Sequence, residues 1–452
     1  MINAIVIAVI LMIVLCLCRL NVVISLFISA LVGGVVSGMS IEKVINVFGK
    51  NIVDGAEVAL SYALLGGFAA LISYSGITDY LVGKIINAIH AENSRWSRVK
   101  VKVTIIIALL AMSIMSQNLI PVHIAFIPIV IPPLLSLFND LKIDRRLIGL
   151  IIGFGLCFPY VLLPYGFGQI FQQIIQSGFA KANHPIEFNM IWKAMLIPSM
   201  GYIVGLLIGL YVYRKPREYE TRKISDSDNV TELKPYILIV TIVAILATFL
   251  VQTFTDSMIF GALAGVLVFF ISRAYNWYEL DAKFVEGIKI MAYIGVVILT
   301  ANGFAGVMNA TGDIDELVKT LTSITGDIDE LVKTLTSITG DNKLFSIIMM
   351  YVIGLIVTLG IGSSFATIPI IASLFIPFGA SIGLDTMALI ALIGTASALG
   401  DSGSPASDST LGPTAGLNVD GQHDHIRDTC VPNFLFYNIP LMIFGTIAAM
   451  VL

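Results

Sequence analysis

The chain has 452 residues, 57% of them hydrophobic and 12% charged, about half the charged share of a soluble globular protein, where ~25% is usual. Composition alone therefore points to an integral membrane protein. The net charge of -4 with no basic stripe excludes a nucleic-acid partner. The four cysteines, Cys16, Cys18, Cys157 and Cys430, lie in or beside apolar runs with no disulfide or metal-ligand spacing, and read as packing residues.

In chain order, the first apolar run, 2–18, is preceded by no basic segment and followed by Arg19, so it reads as a retained span and not a cleaved signal peptide. Runs of spanning length, about 17 to 25 residues, follow at 22–39 and 58–75. The run 103–138 is broken by SQNLIPVH at 116–123, which suits two crossings, and 147–165 and 194–213 close the first half. Before 58–75, IEKVINVFGKNIVDGAEVAL reads as an amphipathic approach, with Asp54 and Glu57 interfacial. RKPREYETRKISDSDNVTELK, 214–234, is the most polar stretch and reads as a linker. Beyond it come 236–251, 258–271, 288–308, 344–360, 365–379, 387–411 and 434–452. Lysine and arginine concentrate in 92–102, 140–146 and 214–234, with Arg19 and Arg273 on the same side, so the positive-inside rule makes that side cytoplasmic and turns both termini outward.

Two repeats stand out. Gly67, Phe68, Ala69, Gly76, Asp79, Leu81 and Val82 match Gly303, Phe304, Ala305, Gly312, Asp315, Leu317 and Val318 at an offset of 236, and Asp144, Gly153 and Pro164 match Asp385, Gly394 and Pro405 at an offset of 241. With seven segments in each half, duplicated halves must lie in opposite orientations. The expected fold is an all-α polytopic membrane protein with two inverted repeats of about seven segments, 1–213 and 235–452, joined by the cytoplasmic linker 214–234, with broken or re-entrant helices at the midplane. Separately, TGDIDELVKTLTSI occurs twice in tandem within 311–338, on the outer side. Each copy spans roughly 21 Å if helical, and one reads as a tolerated extension of the other.

The chemistry centres on GTASALGDSGSPASDSTLGPTAGLN, 394–418. Pro405 and Pro413 remove backbone donors and the glycines loosen the chain, so freed backbone groups need buried partners. Asp401 and Asp408 bracket Ser402, Ser404 and Ser407, with Ser409 and Thr410 beyond, an all-oxygen donor set suited to sodium as a hard cation. Carboxylates inside a membrane segment are functional by default, and desolvation equips such groups to exchange a proton for a cation. At offset 241, Tyr160 stands at the place of Asp401 and Phe167 at that of Asp408, so the charge resides in the second half only. A second constellation, Ser116, Gln117, Asn118, Pro121 and His123, offers amides and a titratable ring. Its counterpart is Gly362, Ser363, Ser364 and Thr367, while Asn302 and Asn309 suit amide contacts between helices. No nucleophile and base pair, phosphate-cradling loop or Walker motif is present, so neither an enzyme nor ATP as a driving force is expected.

With GTASALGDSGSPASDSTLGP and SQNLIPVHIAFIPIVIPPL in view, the chain resembles the NhaC-like sodium/proton antiporter family of the ion transporter superfamily, and most of all the branch named for amino-acid transport. Antiporters of that type carry a run similar to GDHxSPxSDT, onto which Asp401, Ser404, Pro405, Ser407 and Asp408 map. Ser402 and Gly403 differ, and no histidine is present there. The resemblance implies a multi-pass protein of a bacterial-type inner membrane, re-entrant hairpins, a homodimer and an elevator-like movement of the site-bearing part. It implies no cofactor beyond Na+ or H+ as coupling ion. The expected activity is cation-coupled uptake of a small amino acid, with Na+/H+ antiport as the alternative and a passive channel as the alternative of another class.

Overall fold

A computed structural model of the chain describes residues 4–18, 20–77, 95–118, 126–182, 184–220, 235–255, 257–311, 342–361 and 364–452, and among these every regular element is helical. The first half contributes α1 (Ala4–Leu17), α2 (Val22–Val36), α3 (Ile41–Ile52), a tight turn Val53–Gly55, α4 (Ala56–Tyr74), α5 (Arg95–Asn118), α6 (Phe126–Asp140), α7 (Arg145–Leu162), α8 (Phe167–Lys181), α9 (Phe188–Ala194) and α10 (Leu196–Val212). The second contributes α11 (Pro235–Thr255), α12 (Met258–Ser272), α13 (Trp277–Ala310), α14 (Lys343–Ile361), α15 (Ser364–Ser381), α16 (Thr386–Ala398), α17 (Asp408–Leu417) and α18 (His425–Val451). The last is wound as π-helix at His425–Cys430 and Phe434–Asn438. Short polar side chains start the helices: Asn21, Asp144 and Asn276 each accept the amide two residues on, and Ser40 accepts that of Lys43.

Among the described residues, five helical stretches are long and apolar enough to cross a bilayer, Arg145–Leu162, Phe188–Val212, Pro235–Thr255, Trp277–Ala310 and His425–Val451, and shorter apolar helices accompany them. The helices pack as two groups. α1 to α4 lie with α11 to α13, and α5 to α10 lie with α14 to α18, so each group draws on both halves of the sequence. The groups meet where α4 rests on α6, α1 and α13 on α14, and α13 on α17.

The offsets of the sequence recur as element boundaries. Shifted by 236, α2 falls on α12 residue for residue, and the stretch from Ile41 to Tyr74 falls on α13, which runs unbroken where the first copy turns at Val53–Gly55. Shifted by 241, the end of α6 falls on the end of α15, and the starts of α7 and α8 fall on those of α16 and α17. Contacts between the halves come in matched pairs. Gly67 lies against the Phe284 ring and Gly303 against that of Phe48, while Gly66 meets Met291 and Gly55 meets Asn302; a Cβ at any of these glycines would collide. Asn302 itself bonds the Ile298 carbonyl of its own helix.

Two features differ from the hydropathy reading. The run 387–411 is not one crossing but two short helices separated at 399–407. α8 lies outside the apolar runs, because FGQIFQQIIQSGFAK is rich in glutamine. Phe171, Ile175 and Phe179 nevertheless form a buried stripe, while Gln172 and Gln176 donate to the Leu162 and Ile186 carbonyls near the helix ends. Cys16, Cys157 and Cys430 are buried packing residues, whereas Cys18 is exposed.

The segments 139–146, 217–220 and 417–428 converge at one end, which places the basic stretch 140–146 beside the start of the linker. Arg145, fully buried, donates to both oxygens of Asp420 at 2.6 Å, to the Leu417 carbonyl and to Asn139, and lies 4.4 Å from the Tyr219 ring centroid. Arg146 and Arg217 pair with Asp144, and Arg217 also with Asp428. Burial works to raise Asp420, but the hydrogen bonds and charge of Arg145 outweigh it and hold its carboxyl below the usual range.

Candidate functional site

α16 stops at Ala398 because Gly400, Gly403 and Pro405 follow, and α17 restarts at Asp408 with Ser407 as its N-cap, bonded to Ser409 N. The break frees backbone carbonyls deep in the protein, where each needs a donor. Asn438 from the second π turn donates to Leu399 O, Ser409 to Asp401 O at 2.7 Å, Thr410 to Ser404 O, and His425 Nε2 to Pro405 O at 2.9 Å. π turns are frequent at functional sites because they swing side chains out of the regular α register; here one presents His425 and the other Asn438.

Asp401 is held from both halves of the sequence. Tyr160 at the end of α7 donates its hydroxyl to Oδ2 at 2.6 Å, and Ser407 donates to Oδ1 at 2.9 Å. With its proton given to Asp401, the phenol accepts from Ser364 at the start of α15, 3.2 Å away. Tyr160 is wedged between Phe171 and Phe365, so the phenol has little freedom. Tyr202 and Ser402 share a further hydrogen bond behind the break, at 3.2 Å.

Asp408 differs. It opens the first turn of α17, where the helix dipole favours a negative charge, its side chain is exposed, and among the described residues its carboxylate takes no hydrogen bond. Asp401 is thus a carboxylate occupied within the protein, and Asp408 is an open one.

Of the residues expected from sequence, Asp401, Ser407, Ser409 and Ser364 come together. Ser404 turns its hydroxyl to Ala406 N at 3.2 Å and serves the loop. Gln117 and Asn118 end α5 with side chains outside the described residues, and His123 and Ser363 lie outside them altogether. Tyr160, Tyr202, His425 and Asn438 were not expected as site residues. The offset of 241 singles out Tyr160, since it bonds the residue at its own equivalent position; nothing in the sequence marks the other three. The donors around the break are oxygen atoms of carboxylate, hydroxyl and carbonyl groups, a set that suits a hard monovalent cation, and no cluster of three or more His, Cys, Asp or Glu is gathered among the described residues.

A carboxylate set in a broken helix and gripped by residues from distant parts of the chain, within a bundle of bilayer-length helices, is the architecture of a multi-pass membrane protein with a buried polar site. Comparison with known proteins supplies the family. One profile, described as the Na+/H+ antiporter family, matches residues 151–325 and 323–446, and another, the Na+-H+ antiporter family, matches 3–89. The chain belongs to the Na+/H+ antiporter family, and the join between the first profile's two matches falls within the tandem duplication. Among its relatives are an uncharacterised membrane protein of Vibrio parahaemolyticus, 48% identical over the whole of both chains, and one of Haemophilus influenzae, 45% identical over all of this chain and 99% of that one. A Bacillus subtilis protein carrying the name "Putative amino acid transporter YuiF" is 46% identical over the whole of both chains. Two solved structures are similar at a TM-score of 0.39 each, too low to argue from. They are MtrF of Neisseria gonorrhoeae (16% identity, 91% of this chain and 84% of that one) and the YdaH transporter of Alcanivorax borkumensis (12%, 90% and 87%).

Proposed function

We propose that this protein is a secondary transporter of a bacterial-type inner membrane that couples Na+ or H+ movement to uptake of a small amino acid, with the cation handled at Asp401 and Asp408. The observation that carries the reading is the break between α16 and α17. There a buried carboxylate, freed carbonyls and hydroxyls are assembled at helix ends, as ion sites of secondary transporters are. The amino-acid substrate is favoured by the name of the Bacillus subtilis relative. Na+/H+ antiport without an organic solute is the second reading, favoured by the family.

Under the same proposal the halves are inverted repeats of about seven segments. The matched contacts of Gly67 with Phe284 and Gly303 with Phe48, and the bond between Tyr160 and Asp401, support a twofold relation lying between α4 and α13 and passing by the site. Tyr74 at the end of α4 bonds Glu279 at the start of α13, so the two related helices run antiparallel. The group containing α16 and α17 would then be the part that moves, and 116–123 would complete the cavity from the first half.

The test is reconstitution. Vesicles with an imposed sodium or proton gradient accumulate a labelled small amino acid if uptake is the activity. Sodium-dependent proton movement with no organic solute supports antiport instead, and flux indifferent to a second gradient would mean a channel. Asp408→Asn abolishes coupled transport and spares membrane insertion; unchanged transport in that variant would remove the site assignment.

A further inference from the structure

One chain of hydrogen bonds leaves the break without passing through either aspartate. His425 Nε2 lies 2.9 Å from the Pro405 carbonyl, and His425 Nδ1 lies 2.8 Å from the Thr414 hydroxyl. Thr414 donates to Thr429 at 2.9 Å, and Thr429 lies 2.7 Å from His423 Nε2. The chain ends on His423, whose buried Nδ1 has no partner although the ring sits between the half-buried Gln422 and the exposed Asp424. This is the end where 139–146, 217–220 and 417–428 converge, the end that the basic segments mark as cytoplasmic.

Counting hydrogens shows what the chain can hold. A carbonyl only accepts, so His425 Nε2 must carry a hydrogen. The Thr414 hydroxyl has one hydrogen, placed to reach Thr429 or the Thr410 carbonyl. With that hydrogen spent on either, the contact with His425 Nδ1 holds a hydrogen only if Nδ1 carries one too, which makes the ring an imidazolium. In the neutral ring, Thr414 instead turns its hydrogen to Nδ1, Thr429 turns to Thr414, and His423 Nε2 donates to Thr429. The two arrangements differ by one proton, and in both His423 Nδ1 is the one member of the chain left over.

We propose that His425 is a proton-binding site of the transporter, loaded and emptied from the cytoplasmic end through His423, Thr429 and Thr414. A proton taken at His423 Nδ1 lets Nε2 pass its own to Thr429, Thr429 to Thr414, and Thr414 to His425 Nδ1; the reverse order discharges the ring. Only N–H and O–H bonds are exchanged, and the charge comes to rest against the Pro405 carbonyl. Loading the ring therefore works against a cation held in the same break. Burial opposes a charged ring at His425, while the Pro405 carbonyl and Asp424 favour it; the Cys430 thiol lies beside it, and α17 faces it with the Thr414 hydroxyl. Around His423 stand Asp428 on its own segment, Arg145 from α7 and Arg217 from the start of the linker. Burial, aided by the two arginines, outweighs Asp428 and holds this ring below its ordinary value, so charge passes through it without resting there. The inference rests on the transport reading above and adds to it a proton site apart from the two aspartates.

Thr429→Val tests the path and spares both rings, because among the described residues the Thr429 hydroxyl bonds Thr414 and His423 alone. In proteoliposomes, coupled flux is followed while the pH at the 417–428 end is stepped across the histidine range, about pH 5 to 8. Wild-type flux follows the step. In Thr429→Val the response falls about tenfold or more, a conservative share of what a positioned proton carrier contributes, and Thr429→Ser restores it. His423→Gln, whose amide still donates to Thr429 but takes up no proton, shows the same loss and serves if valine prevents folding. A valine or glutamine variant with the wild-type response, or a serine variant no better than valine, overturns the path. Proton binding itself is read in detergent by nitrogen NMR of labelled histidine rings: the ring missing from His425→Gln gains a second N–H in the wild type as pH falls. If it does not, the site is overturned whatever the flux. If that ring titrates while the wild type carries no coupled flux, the transport reading fails and the proton site stands.

Discussion

Arg145→Met would measure how firmly the two halves of the site are held in register. The guanidinium is fully buried and its partner Asp420 is 3% exposed, so solvent cannot replace either when the other is removed. Removing the arginine deletes two 2.6 Å bonds to Asp420 and a 3.0 Å bond to the Leu417 carbonyl at the end of α17, leaving a buried carboxylate with Gln422 among its remaining donors. Breaking a buried ion pair from one side costs about 3–5 kcal/mol, because the surviving charge is left uncompensated. Methionine fills much of the volume, so cavity formation is a minor part of that cost. The measurement is equilibrium unfolding of the purified protein in detergent, run beside Asp420→Asn and the double variant. The double variant should recover more than half of the loss, since the stranded charge is gone. The reasoning fails if Arg145→Met lies within about 1 kcal/mol of wild type, the range of an exposed pair, or if the double variant is no better than the single. The pair joins the start of α7, which ends near Tyr160, to the end of α17, which starts at Asp408, so a destabilised variant should also lose transport.

Other outcomes follow from the same contacts. Tyr160→Phe keeps the ring against Phe171 and Phe365 but removes the 2.6 Å donor to Asp401; coupled transport at subsaturating cation falls about tenfold or more while insertion is normal. Gly205→Ala drives a Cβ into the Phe436 carbonyl, separating α10 from α18, and size-exclusion chromatography should show little folded protein. Because Asp420 is held below its ordinary value, the stability it contributes is present above about pH 4, its unfolded range, and is lost as pH falls through the lower folded value; acid unfolding of Asp420→Asn should be less steep there. Deleting one copy of TGDIDELVKTLTSI should leave uptake in vesicles unchanged.

The break at 399–407 was legible because proline and glycine next to carboxylates in an apolar background violate what a membrane helix tolerates. The two offsets were legible in a handful of matched residues, and they recur as the spacings between helix boundaries. α8 was not legible, since its glutamines cap neighbouring carbonyls inside the protein and a hydropathy average cannot tell such a buried helix from a loop. Nor were the different situations of Asp401 and Asp408, seven positions apart in one motif. That difference depends on Tyr160, more than two hundred positions away, and on which carboxylate the fold leaves open. His425 and Asn438 were hidden for another reason: π turns set their direction, and nothing in local composition announces a π turn.

Tyr160 and Asp401 stand 241 positions apart, the spacing that also separates the starts of α7 and α16, and they touch each other, so under the proposed repeat this position faces itself. In a chain with identical halves an aspartate there would face its own twin, shorter than the phenol and so without its direct bond, yet near enough in a dry interior for each carboxylate to disfavour ionisation of the other. A tyrosine opposite instead supplies a donor that reaches the carboxylate. Under the proposed repeat, the single-sidedness of the charge is what electrostatics favours where a duplicated chain puts a carboxyl group near its own axis, and Tyr160→Asp would trade that donor for a second negative charge nearby.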